Sequence, residues 1–187
     1  MPTKTISPLP PLHGRKITAT QVAKDVLVLL AKKPKLMQFG HFGYVAPIWP
    51  TAQTRDEQAA AHAAAQDFKD VLLKEKQLSC GVCALGALFV AKVMRTDDCP
   101  FHLESYGRDE VSTKLVSLFS DEQMDLIESA YELYGNQSEP GSAAAFGAKF
   151  KAGKPRLKAI CQNIIENKGK FKPEKGLKTH ASKKISS

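Results

Sequence analysis

The side chains in this sequence best suited to chemistry are Cys80 and Cys83 in C-x-x-C spacing, followed by Cys99 and His102 with two residues between them. Cys80-x2-Cys83-x15-Cys99-x2-His102 falls within the spacing of four-ligand zinc sites, where thiolates and an imidazole nitrogen surround the metal tetrahedrally. The chain between the two pairs opposes that reading. Residues 84–95 are rich in alanine and leucine with no turn signal, and as a helix they hold their ends roughly 17 Å apart at 1.5 Å per residue. Thr96 to Cys99 barely reaches back that far. The sequence therefore assigns no metal and no cofactor, and the cysteines read as small buried filler.

The same pair invites dithiol chemistry, because a helix N-terminus lowers a thiol pKa. Such a motif needs a strand before it, and Lys74-Glu75-Lys76-Gln77-Leu78 is no buried strand. A lone Cys80 nucleophile assisted by His41 or His62 lacks a base fixed beside it. A thiol-based enzyme or redox protein using Cys80 and Cys83 is carried as the alternative reading. No phosphate-binding glycine loop, histidine–glutamate zinc helix or nucleophile elbow occurs in the chain. The acid pairs Asp97-Asp98, Asp109-Glu110 and Asp121-Glu122 mostly fall at predicted helix starts, where a negative charge favours the macrodipole.

Two other groups of residues suit binding. Phe39, His41, Phe42, Tyr44 and Trp49 are interleaved with glycine and proline, which predicts either the aromatics of a short hairpin closing one end of the core or an exposed loop whose rings are available for recognition. Lys170, Lys172, Lys175, Lys178, Lys183 and Lys184 sit in a basic C-terminal stretch able to neutralise phosphates without sequence preference. That stretch accounts for most of the net charge of +8. The body is polarised: residues 97–139 hold eleven acids against Arg108 and Lys114, whereas residues 1–96 hold thirteen bases against six acids. Such separation is met by internal packing or by a charged partner.

The elements that must position these residues are helical. At 187 residues the chain suits one domain with loose ends. Thr18 or Thr20 caps a helix carrying Val22, Ala23, Val26, Leu27, Leu29 and Leu30 that ends before Pro34. Residues 36–49 form the small β-hairpin, and Thr54 with Glu57 makes a capping box for a helix to about Lys76. A helix at 80–94 is apolar all round and belongs at the centre. A short helix follows from about Asp109 to Leu118, and Ser120 with Gln123 opens another that ends at Gly135. Residues 136–152 read as a loop, Pro155 starts the last helix, and Gly169 ends it.

Three stretches, C-x-x-C-A-x-G-A-L-F at Cys80–Phe89, F-x-x-x-Q-x-x-L-I-E-x-A-Y-E at Phe119–Glu132 and R-L-x-x-I-x-x-N-I-I-x-N-x-G-x-F-x-P at Arg156–Pro173, together resemble an uncharacterised family of small bacterial and phage proteins. The resemblance covers roughly the second half of the chain and implies one compact helical domain; it carries no activity with it.

The expectation is a mainly α protein: a single compact helical domain at 17–170 around a buried central helix, a mobile proline-rich arm at 1–16 and a basic disordered tail at 171–187. The expected function is non-enzymatic, a binding or regulatory protein acting by contact with a protein or nucleoprotein partner, with nucleic acid a further reading through the tail. No membrane-spanning segment occurs. Without an export signal, the four cysteines read as free thiols in the cytoplasm.

Overall fold

The computed structural model describes residue 9 and residues 16–39, 45–48, 79–96 and 107–175. Helix α1 (Ala19–Lys32) begins where the sequence supplies a cap: the Thr18 side-chain oxygen accepts from the Gln21 N–H at 3.2 Å. Its stripe of Val22, Ala23, Val26, Leu29 and Leu30 is buried, and Lys33 closes the helix by donating its N–H to the Leu29 carbonyl.

Three short strands follow, β1 (Met37–Phe39), β2 (Val45–Ile48) and β3 (Ser79–Val82). They form one sheet in the order β1-β3-β2. This corrects the expected hairpin, because β1 and β2 do not pair with each other. β3 lies between them, parallel to β1 with Gln38 opposite Gly81, and antiparallel to β2 with Ala46 opposite Gly81. Pro47 has no N–H to give a second neighbour, which suits β2 to an edge. Gly81 and Val82 are buried and form the middle.

The start of the central helix is corrected as well. Cys80 belongs to β3, and α2 runs from Ala84 to Arg95 with Cys83 as its N-cap. Gly81 has little reason to be helical, and its lack of a side chain suits the centre of a narrow sheet. From Ala84 on, the expectation holds: all of α2 is buried except Lys92, which is partly exposed, and Arg95, whose side chain is nonetheless covered. It packs on α1 and on the next two helices, α3 (Arg108–Leu115) and α4 (Asp121–Glu132). The architecture is thus mainly helical around a buried central helix, and among the described residues no helix is long and apolar enough to cross a membrane.

Ser120 caps α4 by accepting from the Gln123 N–H. Leu133, left-handed at φ 64°, ends the helix two residues before Gly135. Within the stretch expected to be loop lies a further helix, α5 (Ala143–Ala148), capped by Ser142. Six residues give too short a run for periodicity to reveal. α5 lies against α4, and α6 (Lys154–Glu166) packs on α1 and α4.

Both ends are tied to this body further than composition suggests. Leu9 is 3% exposed and joins the core cluster. Phe171 is buried edge-on against Phe146, with ring centroids 5.2 Å apart, and a short 3-10 turn covers Pro173–Lys175. The packed structure therefore runs past the expected start of the tail at 171, because one large apolar ring outweighs the lysines around it.

Candidate functional site

A cleft of about 690 Å³ opens where β1, the end of α4 and the start of α6 converge. Phe39, the last residue of β1, forms one wall together with Leu133. The turn from Lys151 to Arg156 adjoins Phe39 and borders the cleft, which is completed by Tyr131 and Glu132. A volume in this range matches that of ligand-binding clefts.

The geometry of the turn is set by Gly153 and Arg156. Gly153 has φ 76°, which disfavours side chains, and a Cβ placed there would lie 3.3 Å from the Phe39 Cβ. The glycine thus lets the turn approach the aromatic wall. Arg156 is 8% exposed. Its Nε donates to the Gly147 carbonyl at 3.1 Å, Nη2 donates to the Phe150 carbonyl at 3.3 Å, and Nη1 donates to the Tyr131 carbonyl. One guanidinium therefore satisfies carbonyls near the ends of α4 and α5, where the helix dipoles favour a positive charge.

The cationic rim is unequal. Lys154 Nζ donates to the Leu30 carbonyl at the end of α1, at 2.9 Å, which fixes that side chain. Lys151 is exposed. Pro155 has no N–H, and the Arg156 N–H donates to the Lys151 carbonyl at 3.2 Å, so side chains rather than the helix end supply the positive charge. Glu132 adds one negative charge to the lining.

Cys83, the N-cap of α2, is coupled to this region through the charge of Glu132. Burial pushes its thiol up from 9.0 to about 12, opposed by N–H groups of the helix it caps and reinforced by the charge of Glu132. Its Sγ accepts from the Gly86 N–H at 3.4 Å. Desolvation exceeds the helix-end effect here, so the thiol stays protonated at neutral pH and is a poor nucleophile as it stands. Burial also raises Tyr131, with Glu132 and Cys83 adding to the shift and Arg156 opposing it. Cys161 is fully buried, and its thiol is raised by desolvation.

Of the aromatic residues expected to bind, Phe39 lines the cleft, whereas His41, Phe42, Tyr44 and Trp49 lie outside the described residues. Of the lysines, Lys170 and Lys175 are exposed and Lys172 is half-buried; Lys178, Lys183 and Lys184 lie outside the described residues, as do Cys99 and His102. Among the described residues no group of three or more His, Cys, Asp and Glu side chains is placed to hold a metal ion. Sequence reasoning missed Lys151, Gly153, Lys154 and Arg156. Their signal was present: four bases fall within the eight residues from Lys149 to Arg156, immediately around a glycine and a helix-starting proline.

Comparison of the chain with protein-family models, curated proteins and solved structures gives no match, and the site is read from its own geometry.

Proposed function

We propose that this chain is a non-enzymatic binding protein, of the bacterial or phage kind that its motifs resemble, which holds a protein or nucleoprotein partner in the cleft lined by Phe39 and the Lys151–Arg156 turn. The observation that carries this reading is an open cleft whose walls are fixed before any ligand arrives. Arg156 ties one wall to three carbonyls, Lys154 ties it to α1, and Gly153 abuts Phe39. Preorganised walls lower the ordering cost of association. Burial counts against the thiol alternative at Cys83, whose thiol stays protonated; the Cys80 side chain lies outside what the structure describes.

The test fills the cleft without disturbing its supports. Ala152 is exposed and lines the cleft, so Ala152→Trp occupies the space while leaving the core intact. Parallel affinity capture from the native host, with wild type and Ala152→Trp of equal thermal stability, is expected to show a partner retained by the first and lost by the second. Identical captured sets from both proteins would overturn the reading.

A further inference from the structure

The charges lining this cleft identify the chemistry of what it holds, an inference that rests on the binding reading above. Lys151 and Lys154 carry positive charge, and the Arg156 guanidinium behind them is spent on backbone carbonyls. Glu132 places a carboxylate in the same lining, and Phe39 with Leu133 supplies an apolar wall. Among the described residues the lining thus sets two lysines and one carboxylate beside an aromatic face.

We infer that the occupant is a short acidic segment of a protein partner, with one or two carboxylates against Lys151 and Lys154 and an apolar side chain against Phe39. A nucleic-acid strand fits this lining less well, because a phosphate backbone repeats its negative charge at every nucleotide and is gripped by a row of cations, whereas this lining sets two lysines, one of them already bonded to Leu30, beside an apolar wall. A peptide alternates charged and apolar groups, so its carboxylates meet the lysines while an apolar side chain meets Phe39 and Leu133. Lys151 is the group on which recognition turns. Lys154 already donates to the Leu30 carbonyl, whereas the Lys151 side chain is exposed at the rim and its backbone carbonyl alone supports the turn.

The test uses the full-length chain labelled with ¹⁵N and three short synthetic peptides of alternating sequence: glutamate with leucine, glutamine with leucine, and lysine with leucine. A thymidine oligonucleotide is run beside them. The glutamate peptide is expected to shift the amide signals of residues 151–156 and Phe39, with binding that weakens as salt is added. Lys151→Glu should reduce that affinity tenfold or more, and Lys151→Arg should keep it within about threefold; both changes leave the backbone bond to Arg156 in place.

Equal shifts from the glutamine or lysine peptide overturn the acidic occupant, as does tighter binding of the oligonucleotide at the same residues. Shifts from the glutamate peptide that persist in Ala152→Trp place the binding elsewhere and overturn it too. The two levels of the argument separate cleanly. Loss of the captured partner in Ala152→Trp, with no response to the glutamate peptide, retains the cleft as a contact and rejects its acidic ligand. Retention of the partner in Ala152→Trp rejects the cleft itself.

Discussion

Asp25 and Arg95, seventy positions apart, form a two-pronged ion pair inside the molecule. Arg95 Nε donates to Asp25 Oδ2 at 2.7 Å and Nη2 donates to Oδ1, with the two side chains 3% and 2% exposed. The Gln21 side-chain amide adds a third donor to the same carboxylate at 2.8 Å. The pair fastens α1 to the last turn of the central helix α2, where a basic residue also suits the dipole.

Breaking one partner of such a pair strands the other charge in an apolar setting, which costs about 3–5 kcal/mol. Arg95→Met and Asp25→Leu should each lose stability of that order in urea unfolding. The double variant should recover a large part of it, because no charge is then left unpaired. Additive losses in the double variant would show that the two side chains act separately.

Gly147 marks the closest approach of α4 and α5. A Cβ at this position would sit 1.8 Å from the Ala130 carbonyl oxygen and 2.8 Å from its carbon. Both obstacles are backbone, so the contact is relieved only by moving a helix. Gly147→Ala should cost about 2 kcal/mol or more and shift the thermal midpoint down by several degrees. Gly135→Ala supplies the comparison: its Cβ meets nothing within 4 Å, and the cost comes from φ +100° alone, on the order of 1 kcal/mol. Equal losses in the two variants would remove the packing explanation.

The helices were legible because their signals are local. Thr18, Ser120 and Pro155 each announce a helix start within four residues, and Val22 to Leu30 repeats at helical spacing. The sheet was not legible, since the position of β3 between β1 and β2 depends on pairing across dozens of residues. Ser79 to Val82 looks the same as the first turn of a small-residue helix until Met37 and Ala46 are known to flank it. Phe39 was singled out in the sequence and lines the cleft, but its neighbours there, Lys151 and Arg156, lie more than a hundred residues further on. No spacing rule links residues so distant. Phe171 shows the opposite error: the lysines around it placed it at the start of the tail, whereas its ring is buried and Pro173 beyond it is buried too.

The buried thiol of Cys83 gives stability a defined alkaline dependence. Its pKa is pushed up from 9.0 to about 12, chiefly by burial, so between those values the unfolded chain releases a proton that the folded chain keeps. The unfolded state then binds fewer protons, and stability falls as pH rises, by on the order of 1 kcal/mol per pH unit for each such group. Below about pH 9 the contribution is fully present. Cys83→Ser keeps an acceptor for the Gly86 N–H and removes the titration, so its loss of stability between pH 9 and 10.5 should be shallower than that of wild type. Parallel curves would mean that Cys83 ionises as freely in the folded protein as in the unfolded chain.

Asn163 holds the end of the packed chain through both faces of one amide. Its Oδ1 accepts from the Lys172 N–H at 2.8 Å, and its Nδ2 donates to the Lys172 carbonyl at 2.9 Å. Asn163 is fully buried in α6, and the neighbouring Phe171 N–H donates to Gln123 Oε1 at 2.6 Å. These bonds fix the register in which Phe171 enters the core beside Phe146. Asn163→Leu is close in size but offers neither bond, leaving the Lys172 backbone groups to water or to no partner, at about 1–3 kcal/mol. Limited proteolysis should cut Asn163→Leu near residues 168–172 at least tenfold faster than wild type while α1 and α2 stay intact, because the cost falls on the last segment before it reaches the whole fold. Asn163→Asp separates the two bonds, since a carboxylate keeps the acceptor for the Lys172 N–H and loses the donor to its carbonyl. Its cleavage rate should fall between the other two, and a rate equal to that of wild type would show that the Nδ2 bond contributes nothing to holding the segment.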